Sequence, residues 1–208
     1  MLAALLFVAP VSVGQEFPGD YLSKYKSSAE TGDSRAQYLL GMRFERGVGG
    51  EPDFKAAAKW YAKAADQGER LAAFRLAVIY HHGRGVIRNL EIAAKWYLKA
   101  AEAKLAEAQF NLGYLYERGL GVALDEKRAV VWYGRAALQG VTEAYSRLGM
   151  LYAMGRLMEQ DDAKALFWLS LASDGPEIEG VRELVRKRGG PAAVDSARQL
   201  REEWRIQN

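Results

Sequence analysis

Four tryptophans stand at one fixed spacing: Trp60, Trp96, Trp132 and Trp168 are each 36 residues apart. The same step joins Ala36, Ala72, Ala108 and Ala144, then Gly47, Gly83, Gly119 and Gly155, then Asp53, Asn89, Asp125 and Asp161. A period of this length marks tandem units that bury their apolar faces by stacking on their neighbours. It sets repeats at 34–69, 70–105, 106–141 and 142–177.

Each unit reads as two helices. In the first copy, one helix runs from Ser34 to Arg46 and ends at Gly47, because glycine enters the left-handed region without a Cβ penalty. The second begins after Asp53, whose carboxylate can accept from the free N–H groups of the first turn; Asn89, Asp125 and Asp161 repeat that role. Within the phrase AAKWYAKAAD, Ala57, Trp60, Tyr61 and Ala64 follow the i, i+3, i+4, i+7 rule of an apolar stripe. Lys59, Lys63 and Asp66 fall on the opposite, wet face, and the four tryptophans are expected in the core. Gly68 and Gly140 turn the chain into the next unit; Lys104 stands at that place in the second copy and predicts a less favourable turn or a different one.

The third copy carries the fullest motif: Ala108, Leu112, Gly113, Tyr116, Gly119, Gly121, Val122, Asp125, Ala129, Trp132, Tyr133, Ala136, Ala137 and Gly140. These residues resemble the Sel-one-like repeat (SLR) family, relatives of the tetratricopeptide repeats, over about residues 34–177. The resemblance implies an all-α, right-handed α/α superhelical solenoid of helix-turn-helix repeats. In the fourth copy Leu157 and Met158 replace the second Gly and the Val, and Leu169 replaces Tyr, predicting a different loop there. Residues 15–33 read as a half-repeat, a lone second helix, and 178–208 as two capping helices split at Gly189 and Gly190. Ala193, Ala197, Leu200 and Trp204 are at helical spacing and are expected to seal the last repeat.

The run LAALLFVAPVSV near the N-terminus is too short for a bilayer span, which needs about 20 residues. It fits the apolar region of a signal peptide over 1–14, without a basic segment before it. The expectation is therefore a periplasmic or secreted, monomeric protein with no stable membrane span after cleavage. The chain has no cysteine, which excludes disulfides and thiolate chemistry. A net charge of +3 is too small to argue for nucleic acid, and Arg182, Arg186, Lys187 and Arg188 read as a solvated helix face.

The catalytic inventory is thin. His81 and His82 are the only histidines, and adjacent helical residues point about 100° apart, so they do not share a metal easily. No catalytic site, metal or cofactor is expected. Tetratricopeptide proteins line a concave groove with the first helix of each unit. Carried over, the resemblance implies partner-binding residues Tyr38, Phe74 and Phe110 in one row, and Met42, Val78, Tyr114 and Met150 in the next. Glu45, His81 and Glu117 then form a rim, followed by Arg46 and Arg118. Tight curvature burying the aromatic row between adjacent first helices is an equal alternative. The expected function is a non-catalytic scaffold that binds a partner protein or peptide in this groove, in the bacterial cell envelope. The competing expectation, by analogy with some exported relatives, is a cell-wall hydrolase or β-lactam-binding protein. For that, Ser23 and Lys26 match an S-x-x-K spacing without its supporting elements.

Overall fold

The structure, a computed structural model, describes residues 21–155, 159–173 and 175–207. The signal-like run and the deviant loop residues Leu157 and Met158 lie outside them. All regular structure among the described residues is helical, in the order α1 (Tyr21–Glu30), α2 (Ser34–Arg46), α3 (Phe54–Asp66), α4 (Arg70–His82), α5 (Leu90–Glu102), α6 (Ala106–Arg118), α7 (Glu126–Leu138), α8 (Thr142–Met154), α9 (Asp162–Leu171) and α10 (Pro176–Gln207). The chain divides within α6 into two compact units, the first reaching Leu112 and including Leu120–Val122, the second holding Gly113–Gly119 and everything from Ala123 on.

The helix boundaries follow the capping residues. Asp53, Asn89, Asp125 and Asp161 each accept from the N–H three residues on, at 2.8, 2.9, 2.9 and 2.8 Å. Each such cap stabilises its helix by about 1 kcal/mol. Lys104 has φ +62°, so it makes the left-handed turn that glycines make in the other copies, with a Cβ the conformation disfavours.

In the first unit α1 covers the first repeat as a lone second helix. Ala29 is buried against Ala36 and Leu40, and its carbonyl accepts from Gln37 Nε2 at 3.1 Å. The centre of each of the first three repeats is a tyrosine: Tyr61 and Tyr97 in this unit, and Tyr133 in the second, are fully buried. The tryptophans beside them are more peripheral. Trp60 and Trp96 are only partly buried, and a lysine three residues on lies over each ring, Lys63 Nζ and Lys99 Nζ both 4.2 Å from the ring centroid. Lys63, expected in open water, instead shields the indole by a cation–π contact. First helices must approach the buried tyrosines closely. A Cβ at Gly41 would fall 2.6 Å from the Tyr61 ring.

In the second unit a Cβ at Gly113 would fall 2.8 Å from Tyr133, and one at Gly149 2.5 Å from Leu169, which takes the tyrosine's place. Helix α10 is two limbs meeting at Gly190, where φ +63° and ψ −165° leave the helix. Phe167, Trp168 and Trp204 pack together, with Trp204 5.9 and 5.2 Å from the other two rings, so the second limb of α10 lies against the last repeat. The basic cluster is not uniformly solvated. Arg188 forks onto Asp162 and donates to the Ala153 carbonyl at 2.8 Å. Arg182 donates to the Leu169 and Ala172 carbonyls at the end of α9. Arg186 and Lys187 do face solvent, paired with Glu183.

Candidate interaction surface

The expected groove residues separate by burial. Tyr38, Met42, Phe74, Val78, His81, Phe110 and Glu117 are buried within the single chain, so seven of the twelve offer no free surface. The aromatic row packs inside its own unit: Tyr38 lies 5.9 Å from Tyr61, and Phe74 5.9 Å from Tyr97. Glu45, Arg46, Tyr114, Arg118 and Met150 retain exposure.

The column expected as a rim is a chain of buried polar contacts. In the first unit the Tyr61 hydroxyl donates to Glu45 at 2.5 Å, and Arg75 from the next repeat stands 3.8 Å from the same carboxylate. In the second unit the Tyr133 hydroxyl donates to Glu117 at 2.6 Å, and Arg147 reaches it at 3.4 Å. Burial, together with the adjacent carboxylate, pushes both phenols above their ordinary range, so they remain donors. Both arginines were missed as members of the site. Their signal was a covariation of columns 30 residues apart: Glu45 goes with Arg75, Glu117 with Arg147, but His81 with Asn111. In the fourth repeat Ala153 and Leu169 replace Glu and Tyr together, and both are buried.

The second repeat breaks the pattern. His81, 6% exposed, stands where its neighbours have glutamate; its ring is 6.2 Å from Tyr97 and 5.2 Å from His82. His81 Nδ1 and the Tyr97 hydroxyl are buried without hydrogen-bond partners among the described residues. Burial, then the charges of His82 and Arg88, lowers the His81 pKa to about 4. The unfolded chain, with an ordinary value near 6.5, therefore binds more protons than the fold between these limits, and stability rises with pH across that window. Acidification from about pH 6.5 to 4 is expected to cost the fold roughly 3 kcal/mol through this residue. Urea midpoints measured across that range should flatten in His81→Gln relative to wild type, apart from the smaller share of His82, whose pKa is also lowered, chiefly by burial.

The exposed remainder clusters in the second unit. The partly buried Tyr114 ring has two guanidiniums near it, Arg118 at 5.9 Å and Arg147 at 5.8 Å from its centroid, both also within 4 Å of Glu117, and Met150 on first helix α8 is partly exposed. A partly exposed aromatic ring with cations near it suits acidic and apolar groups of a partner. No group of three His, Cys, Asp or Glu side chains converges as a metal site among the described residues. No described helix is long and apolar enough to cross a membrane.

Tandem helix-turn-helix units with recurrent caps and buried tyrosines define a repeat solenoid. The Sel1 repeat profile matches residues 34–69, 70–105, 106–141 and 142–176, and the chain belongs to the Sel1 repeat family. Proteins of this family generally mediate protein–protein interaction, and its solved members are typically non-enzymatic scaffolds. The chain is similar to a Sel1 repeat protein from Oxalobacter formigenes, with 34% identity and a TM-score of 0.69 over 73% of this chain and 63% of that one. It is also similar to c5321, a protective antigen of uropathogenic Escherichia coli strains with an SLR fold, with 29% identity and a TM-score of 0.51 over 86% of this chain and 47% of that one. The chain thus spans less than two thirds of either relative. A comparison with curated proteins found no match.

Proposed function

We propose that the chain is a non-catalytic scaffold that holds a partner protein or peptide against its first-helix face and acts in the bacterial cell envelope. The observation that carries the binding reading is the partly exposed Tyr114, with the Arg118 and Arg147 guanidiniums near its ring. The envelope assignment rests on the apolar run within residues 1–14.

A photoreactive amino acid at position 114, introduced in intact cells, is expected to capture one discrete partner from the envelope fraction. Arg118→Glu in the same chain should reduce the yield severalfold. The same probe at Val131, 52% exposed on the second helix α7, serves as the comparison. Specific capture from Val131 with none from position 114 would show that the partner uses the other face.

A further inference from the structure

The C-terminal cap holds a cavity of about 210 Å³ between α9 and the two limbs of α10. Leu166, Val194 and Ala197 supply its apolar floor, and Arg186, Arg198 and Arg201 stand around it. The kink at Gly190 creates the space by folding the second limb back across α9 and the first limb. Arg182 forms one wall and is fixed there by the carbonyls that end α9.

The rim is positively charged and readily available. Arg186 and Arg198 pair with Glu183 and Asp195 on their own helix, at 2.7 and 3.1 Å, with both members of each pair largely in water. Such exposed i, i+3 pairs are weak and exchange easily for an incoming carboxylate. Arg201 has no acidic partner among the described residues, and its neighbours are engaged elsewhere: Glu202 with Arg205, and Glu203 with Gln199. The cavity is smaller than the roughly 300–1,000 Å³ of small-molecule pockets, and matches one apolar side chain more closely than a whole ligand.

We infer that this cavity is a second docking site, independent of the first-helix face, for an acidic peptide segment that inserts one leucine-sized side chain and lays its carboxylates on Arg186, Arg198 and Arg201. Guanidiniums in a fork geometry suit such carboxylates, and an apolar anchor supplies the depth.

The test is fluorescence anisotropy on the full chain with a fluorescein-labelled heptapeptide, a central leucine flanked by three glutamates on each side. Saturable binding is expected, weakened at least fivefold when serine replaces the leucine. The exposed double variant Arg198→Glu/Arg201→Glu should weaken it at least tenfold, with an unchanged helical circular dichroism spectrum. Equal binding of the serine peptide would mean charge attraction alone and overturn the site. So would an unaltered affinity in the double variant. Because Tyr114 and Arg118 are untouched, loss here with an intact crosslink at position 114 separates this site from the proposed interaction face.

Discussion

Replacing Glu117 by alanine is expected to destabilise the protein by about 3–4 kcal/mol, because it strips two partners of one buried carboxylate at once. The Tyr133 hydroxyl, fully buried, loses its acceptor at 2.6 Å, and Arg147 loses the anion it reaches at 3.4 Å. Tyr133→Phe removes one donor while Arg147 still faces the carboxylate, and should cost less, about 1.5–2 kcal/mol. The fourth repeat shows the apolar solution to the same position. Ala153 and Leu169 occupy these two places there, both buried. The double variant Glu117→Ala/Tyr133→Leu should therefore recover much of what the single alanine loses. Urea midpoints of the wild type, Glu117→Ala, Tyr133→Leu and the double variant give the coupling directly, and a double variant worse than the sum of its singles would refute the exchange.

Gly121→Ala is expected to cost roughly 3 kcal/mol from two additive causes, the left-handed backbone and overpacking. Gly121 has φ +69°, and an added Cβ would lie 2.2 Å from the Leu90 carbonyl oxygen, which is backbone and cannot rotate away. Gly134 provides the opposite case. It lies inside α7 with nothing within 4 Å of an added Cβ, so Gly134→Ala should stabilise by about 0.5–1 kcal/mol through helix propensity. Thermal unfolding of the two variants should move in opposite directions. Similar losses at both positions would show that close approach does not govern the loops.

Much of the architecture was legible in the chain before any coordinates. Asp53, Asn89, Asp125 and Asp161 each cap a helix, and Gly47, Gly83 and Gly155 each close one in the left-handed region. These are local interactions, decided within four residues of chain, so a recurring residue reports them faithfully. The break at Gly190 and the packing of Trp204 on the last repeat were equally readable, one from glycine's backbone freedom and one from helical spacing.

Of the candidate surface the sequence assigned the column but not the burial: seven of the twelve expected groove residues are buried within the chain. Glu45, His81 and Glu117 shared one column with differing chemistry, and variation among charged residues on a helix invites a reading as recognition. The variation instead follows internal partners: Arg75 and Arg147 come from the following repeat to meet Glu45 and Glu117. The tryptophans, the most conspicuous residues of the repeat, proved less central than the tyrosines next to them. A 3.6-residue period assigns both to one apolar stripe, but only the neighbouring helix decides which of the two is enclosed.

The sequence by itself determined the unit length, the helix ends and the membership of every column, since period, caps and glycine turns act locally. Tertiary structure alone decided which columns face water. Burial depends on the approach of the next helix, within a few ångströms of Gly41 or Gly113, and that distance is written in no single repeat. It turned Glu117 inward to a tyrosine and an arginine and left Tyr114 partly exposed, and it opened the arginine-rimmed cavity behind the kink at Gly190.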